Sequence, residues 1–486
     1  MPAHRFRPRR AVRIAATAAV IVGIAALPAA PAMSLDTAPE TQVAVIVPLV
    51  APARAFGLIP ADELAAMTAA NGSLGRALAV AGDLPVTLAV DPLIAASVEA
   101  LGDDAPPSAV AWLERLGSAK AEVDSLPPAD ADPALLLATG LAVPSTTELV
   151  WTPPGETTSA VVAGAGDAAL LIPDSDLASR ADPSTARIVI DDRPAIVIDT
   201  SASDALADAM RGGSAAVLTA ALQSRGGTSV VIGLPRDGQA FSGLRELLAA
   251  LGTSPGLELV PLRALSEAAG DAVLIDGTTD GDRVDRMRQV VEEGSADSAF
   301  ATITADPAAV VEDRVLRDYA LASTAWIADA TWSDAVGAAI DDSKLYRASV
   351  RIEEVDSLFL ADRSSIPVAI VNDLDEPVTV VVTVRTADGR LDVDPAPVTV
   401  EVPAAARTTV EFSASAVSNG TVAVTARLAS VTGVPIGQPA VAKVNVQAGW
   451  ETPIVAAAAG LLGIIIILGI IRTVRRVRRT RAAADG

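Results

Sequence analysis

Apolar and polar positions along this chain change rhythm several times. From residue 43 to about 265, short runs that are apolar on both faces alternate with amphipathic stretches. Residues 43–48, 86–90, 123–126, 148–152, 168–172, 188–190, 195–198, 229–234 and 257–262 read as buried strands, and 62–71, 74–80, 92–101 and 108–118 as helices. Strands buried on both faces and separated by helices imply a mainly parallel sheet covered by helices. Seven or eight such units predict a distorted β/α-barrel-like domain over 33–265. Residues 266–345 change character. A turn-rich stretch at 276–282 is followed by Val284, Met287, Val290 and Val291, then Leu316, Tyr319, Ala320 and Ile327, all at helical spacing. This segment is expected to be a helical connector. Over 346–448 the period becomes two: Val378, Val380, Val382 and Val384 alternate with Thr379, Thr383 and Arg385, and Asp388-Gly389 marks a hairpin. About seven short strands there suggest an Ig-like β-sandwich.

The two ends carry a different signal. Ile454 to Ile471 has no charge and, as a helix, would be about 27 Å long, close to the hydrocarbon thickness of a bilayer. Residues 449–471 therefore predict one transmembrane helix, with Trp450 at the interface. The tail 472–486 carries Arg472, Arg475, Arg476, Arg478, Arg479 and Arg481, which holds that end in the cytoplasm and the rest outside. No L-P-x-T-G precedes the span, so the anchor is expected to stay. At the other end, Arg5, Arg7, Arg9, Arg10 and Arg13 precede an apolar run at 14–27 and an Ala30-Pro31-Ala32 cleavage site. Residues 1–32 read as a signal peptide, with an uncleaved anchor as the rival reading.

Composition narrows the chemistry. Setting aside the five arginines of the leader, the six of the tail and Asp485, the ectodomain keeps 26 cations against 58 anions, near −32. Such a surface repels nucleic acid and anionic lipid. The chain has no cysteine, and its one histidine, His4, lies in the leader. A mature chain without either builds no Ser-His-Asp triad, cysteine nucleophile or ordinary zinc site. The lysines Lys120 and Lys344 lie near Ser118 and Ser343, but neither pair has S-x-x-K spacing. No cofactor or metal is expected, and catalysis would fall to carboxylates.

Carboxylates do gather where strands end. Asp91 follows 86–90, Asp174 and Asp176 follow 168–172, Asp199 follows 195–198, and Asp237 follows 229–234. The C-terminal strand ends of a β/α barrel carry its active site, and two carboxyls there would serve glycoside hydrolysis. Against this, Asp-Pro recurs at 91–92, 132–133, 182–183 and 306–307, and an Asp cap with Pro at the first helical position starts helices. Capping is the economical reading. The loop 125–133, with Asp130 and Asp132, is either a metal or substrate loop or a capped βα loop. Residues 276–282 lack calcium-loop order and read as solvated linker. Trp112 is expected to pack, whereas Trp151, at a strand end, is a candidate for stacking on a ligand.

Several short segments together resemble a known family. They are Val45-Ile46-Val47-Pro48-Leu49, Gly75-Arg76-Ala77-Leu78, Leu88-Ala89-Val90-Asp91-Pro92, Ala111-Trp112-Leu113, Ser125-Leu126-Pro127 with Asp130-Ala131-Asp132, and the stretch 366–372 ending in Asn372, with Asn419-Gly420. In order and spacing they resemble single-pass envelope proteins of high-GC Gram-positive (actinobacterial) species, a set catalogued as a domain of unknown function. The resemblance implies a cell-envelope role and, as partner, a flippase-like membrane protein for peptidoglycan precursors. It also implies a remote likeness of the N-terminal part to polysaccharide deacetylases, whose Asp-His-His metal site this chain lacks the histidines to form. The expected protein is α/β plus β, anchored and extracytoplasmic. It is non-catalytic and binds a membrane partner or wall precursor. The alternative is a carboxylate-dependent glycoside hydrolase using Asp91 with Asp174, Asp199 or Asp237.

Overall fold

The structure is a computed structural model that describes residues 40–236, 243–353, 357–360, 363–446 and 451–482. The leader and its cleavage site, Asp237 and Trp450 lie outside the described residues. The first eleven strands are β1 (Thr41–Leu49), β2 (Thr87–Val90), β3 (Glu122–Ser125), β4 (Leu149–Trp151), β5 (Ala169–Pro173), β6 (Leu177–Arg180), β7 (Arg187–Ile190), β8 (Arg193–Ile198), β9 (Ser229–Gly233), β10 (Leu257–Leu259) and β11 (Ala269–Leu274). They form two sheets where one ring was expected. In the first, β1 pairs in parallel with β2, β9 and β10, and β2 with β3. The second runs β4-β5-β8-β7-β11-β6.

The sheets meet at two seams. At one, the Glu148 N–H donates to the Ser125 carbonyl at 3.0 Å, and the Ser125 N–H donates to the Glu148 carboxylate at 3.1 Å. At the other, the Asp199 N–H donates to the Val231 carbonyl at 2.9 Å. Alternate residues share one apolar interior: Ala44, Ile46, Ala89, Leu149, Trp151, Leu171, Ile196, Ile198 and Val231 form a single buried cluster. Their neighbours Val45, Val47, Leu88 and Ile232 belong to a second cluster with the surrounding helices. This period of two, buried on both faces, is why the strands read as unbroken apolar runs. Trp112 packs as expected: it is fully buried and its indole N–H donates to the Leu74 carbonyl at 3.0 Å.

Two departures concern the strands. β7 and β8 are antiparallel, joined by Asp191 and Asp192 at φ 50° and 64°. Two left-handed residues in a row make the turn whose twist suits a two-residue hairpin. β11 falls inside the segment expected to be helical. It pairs with β6 and β7, and its side chains alternate between exposed and half-buried, so its apolar signal is weak. Nor is 276–282 free linker. The Asp276 carboxylate accepts from the Ser159 N–H at 2.7 Å, and the Gly277 N–H donates to the Thr157 carbonyl at 2.7 Å. A Cβ on Gly277 would stand 2.5 Å from the Gly155 carbonyl, which explains glycine there.

Three helices, Gly281–Phe300, Pro307–Leu321 and Trp332–Ala348, make the connector. Met287, Val290, Leu321, Trp326, Trp332 and Val336 belong to the core of the α/β part. Phe300 and Ile303 belong to the core of the β part. The Phe300 ring meets Tyr346 edge-on, with centroids 4.9 Å apart. Beside them Asp297, fully buried, pairs with Arg314 at 3.1 Å and with Arg347.

The β part holds β12 (Val350–Ile352), β13 (Ser357–Leu360), β14 (Arg363–Asn372), β15 (Val378–Thr386), β16 (Leu391–Val393), β17 (Val398–Val402), β18 (Ala406–Ala416), β19 (Gly420–Ala429) and β20 (Pro435–Val446). These strands form sheets β12-β14-β18-β16 and β13-β20-β19-β15-β17, more strands than the pattern suggested. Val378, Val380, Val382 and Val384 face the shared core. Asn372 is fully buried, donates to the carbonyls of Glu376 and Pro403 at 2.8 and 2.9 Å, and accepts from the Leu374 N–H at 3.0 Å. The final helix, Glu451–Ala482, runs past the expected end of the span. Its stretch Val455–Arg475 is long and apolar enough to cross a membrane, and none of it is buried against the rest of the protein.

Because Phe300 sits in the second core while its helix is rooted in the first, Phe300→Ala is expected to cost about 3–5 kcal/mol. Chemical denaturation of the full chain in detergent measures it, and a loss below about 1 kcal/mol would contradict the shared core.

Candidate functional site

Among the described residues, the carboxylates singled out at strand ends, Asp91, Asp174, Asp176 and Asp199, are turned back onto the backbone. Asp91 is 1% exposed, and one oxygen accepts from the N–H groups of Leu93 at 2.9 Å and Ala129 at 2.8 Å. It caps the helix Pro92–Leu101, with Pro92 in the first position. Its other oxygen is buried without a hydrogen-bond partner. Asp174 accepts from the Thr200 N–H at 3.2 Å and hydroxyl at 2.5 Å. Asp199 caps the helix Thr200–Met210 through the Ala202 N–H at 2.7 Å and pairs with Arg225. Asp176 is buried and binds the Gly155 N–H at 2.8 Å and the Thr157 hydroxyl at 2.7 Å. Asp132 and Asp306 also cap helices that open on proline. Asp182 departs from that pattern: it holds a turn, accepting from the Ser184 N–H at 2.9 Å and hydroxyl at 2.6 Å.

The loop after β3 does more than cap. Ala129 and Asp130 sit at φ 59° and 48°, an unfavourable region for residues with a Cβ. That backbone delivers the Asp130 carboxylate to Arg236, whose Nη1 lies 2.9 and 3.1 Å from its two oxygens. The Thr324 hydroxyl donates to the same carboxylate at 2.6 Å. Arg236 also donates to the Trp151 carbonyl at 2.7 Å, and its guanidinium stands 4.1 Å from the Trp151 ring centre. Asp132, fully buried, pairs with Arg283 of the connector at 3.2 Å. Arg283 in turn donates to the Ser323 carbonyl at 3.1 Å. The Asp132 N–H donates to the Ala322 carbonyl at 2.9 Å. Burial pushes both carboxyls above their ordinary range, with Arg236 and Arg283 opposing it. Of the two readings of this loop, it is a βα loop with a cap, and a clamp as well.

Beside the clamp lies a cleft of about 560 Å³, at the ends of β4, β5, β8 and β9. Pro153, Pro173, Ile198, Leu234 and Pro235 give it an apolar floor, and Thr200, Ser203 and Asp204 a polar side. Trp151 lines it but is 8% exposed, and Arg236 covers one face. Gly233 lies against the ring; a Cβ there would stand 2.4 Å from Trp151 Cζ2. Trp151 is therefore a wall and not an open stacking platform. Among the described residues Asp204 is the one carboxylate lining the cleft, and none is arranged in a metal-holding group of three or more. The partners Arg236 and Arg283 had no local signal, since they lie 106 and 151 residues from the aspartates they meet.

Gly233→Ala should displace Trp151 and reshape the cleft. The expected outcome is a shifted tryptophan emission spectrum with a lower melting temperature; unchanged values of both would contradict the packing. Burial lifts Asp91, and likewise Asp124 and Asp318, to about 7. A carboxyl more basic folded than unfolded adds stability below its unfolded value, and that stability is lost as pH rises through the folded one. The melting temperature should therefore fall between about pH 4 and pH 7, and Asp91→Asn, which keeps the cap, should flatten part of the fall. An unaltered slope would show that Asp91 does not carry its share.

No curated protein matches the chain significantly. Parts of it are similar to solved structures. With native alpha-2-macroglobulin from Escherichia coli, spanning domain MG7 to the C-terminus, identity is 20% over 20% of this chain and 16% of that chain, at TM-score 0.17. With WR4, a C. elegans MSP family member, identity is 12% over 20% of this chain and 98% of that one, at TM-score 0.16. With SSP-19, an MSP-domain protein like family member in Caenorhabditis elegans, it is 15% over 19% and 94%, at TM-score 0.15. The chain thus spans only 16% of the length of the first of these, and likenesses this partial carry no argument about function. The model of one family matches residues 58–484, nearly the whole of the described fold, and the chain belongs to that family, the family of unknown function DUF6049.

Proposed function

We propose that this is a non-catalytic protein of the cell envelope. In this reading its α/β part is a split barrel-like shell that binds a membrane partner or a wall precursor at the cleft by β4, β5, β8 and β9. The Ig-like part is the stalk, and Val455–Arg475 the single-pass anchor. The arginines from Arg472 onward orient it, with the ectodomain outside the cytoplasm.

One observation carries the non-catalytic reading. Asp91, Asp174 and Asp199 are each committed to a helix N-terminus, and Asp199 to an arginine as well. Glycoside hydrolysis needs two carboxyls flanking a bound sugar. Here Asp204 faces the cleft without a second acid among the described residues. Size and lining favour binding: ligand clefts of roughly 300–1,000 Å³ with an apolar floor and a few polar groups are typical.

The test is crosslinking of the tagged full chain in cells, with mass spectrometry of the purified membranes. Wild type should yield one dominant membrane partner, the flippase-like protein implied by the family resemblance being one specific expectation. Ala207→Trp, which fills the cleft, should reduce its recovery severalfold. Equal recovery from both would sink the cleft as the binding site. Release of sugar from wall glycans by wild type, lost in Asp91→Asn, would overturn the non-catalytic reading.

A further inference from the structure

The hydroxyls and the arginine that line the cleft by β4, β5, β8 and β9 are already spent as donors. Thr200 gives its proton to Asp174 at 2.5 Å, Ser203 to the Asp199 carbonyl at 2.7 Å, Ser175 to Asp176 at 3.1 Å and Thr324 to Asp130 at 2.6 Å. Arg236 holds Asp130 and Thr324 through Nη1 and the Trp151 carbonyl through Nη2, and 14% of its side chain is exposed. The helix Thr200–Met210 opens at the cleft, and a helix N-terminus ordinarily attracts an anion. This one carries two carboxylates of its own: the Thr200 N–H donates to Asp174 and the Ala202 N–H to Asp199. The other charge on the lining is Asp204, on the same helix. It is exposed, and among the described residues its carboxylate has no ion pair or hydrogen bond.

A ligand's charge therefore meets one open carboxylate and a set of spent donors. A phosphate or carboxylate brings acceptors only and finds no free cation there, whereas an ammonium or guanidinium brings donors only. The ectodomain, near −32, adds to that preference at longer range. The floor of Pro153, Pro173, Ile198, Leu234 and Pro235 is apolar, and a volume of about 560 Å³ has room for far more than a lone ion. We propose that the cleft takes a basic, apolar segment of a protein partner. A bulky aliphatic or aromatic side chain lies on the floor, and a neighbouring lysine or arginine meets Asp204. This occupant presupposes the cleft as the binding site and, of the two ligand classes proposed for it, is the membrane protein and not an anionic wall precursor. Opposite charges beside an apolar contact set specificity and encounter rate more than raw affinity.

The test is fluorescence anisotropy of labelled probes titrated with the full chain in detergent. The probes are a blocked pentapeptide with phenylalanine between two leucines and a lysine at each end, its counterpart with glutamate at each end, and a fluorescent prenyl diphosphate. The lysine peptide should bind saturably and about tenfold more tightly than the other two. Ala207→Trp, which fills the cleft, should weaken it about tenfold and Asp204→Asn about fivefold, while Asp103→Asn, elsewhere on the exposed surface, should leave it unchanged. Because the Asp204 carboxylate holds nothing among the described residues, its variant reads charge and not folding. Equal binding of the glutamate peptide or the diphosphate, or wild-type affinity in Asp204→Asn, with Ala207→Trp still blocking, would overturn the basic partner and leave the cleft standing. An equal loss in Asp103→Asn would mean general attraction to an acidic surface and would overturn it too. Binding indifferent to Ala207→Trp, or no saturable binding of any probe, would sink the cleft and the basic partner together.

Discussion

Two buried carboxylates on one short loop, Asp130 and Asp132, hold the mouth of the α/β part to everything around it. Each reaches an arginine from a distant part of the chain, Arg236 beyond β9 and Arg283 in the connector. Arg236 then fixes the Trp151 carbonyl and ring, and through them the wall of the cleft. A buried ion pair adds little net stability over a well-packed apolar substitute, but removing one partner strands a charge and costs about 3–5 kcal/mol. The left-handed backbone at Ala129 and Asp130 is strain that only such a commitment sustains.

The connector extends that constraint outward. Its helices begin at Asp280, which caps Gly281–Phe300, pass the Asp132–Arg283 pair, and end with Phe300 inside the second core. One helix rooted in two cores leaves little freedom at the join. The α/β part and the β part are thus joined through the connector's packing in both cores.

Much of this architecture was legible in the residues. Residues 43–48, 86–90 and 230–232 are β-branched or apolar on both faces, so they announced buried strands, and Asp91-Pro92 and Asp132-Pro133 announced helix starts. The alternating valines of β15 gave the sandwich face. What stayed hidden was non-local or weakly apolar. β11 is Ala-Gly-Asp-Ala-Val-Leu, too mixed to show a period, and the β7–β8 turn uses Asp191-Asp192 where glycine is the usual signal. The loop 125–133 was visible as special, but its partners were not, because an arginine 106 or 151 residues away leaves no trace in local pattern. Trp151, at a strand end, reads as a candidate for stacking, and the sequence does not reveal that Arg236 stands over its ring.

A double-mutant cycle on Asp130 and Arg236 tests most directly whether the strand-end carboxylates hold structure. Asp130→Ala, Arg236→Ala and the double variant of the full chain would be compared by chemical denaturation in detergent. If the pair is a structural clamp, each single change costs about 3–5 kcal/mol. The double variant then costs less than the sum of the two, by a coupling of about 2–3 kcal/mol. Additive losses within about 0.5 kcal/mol would mean that the two side chains act separately, and the clamp would not exist.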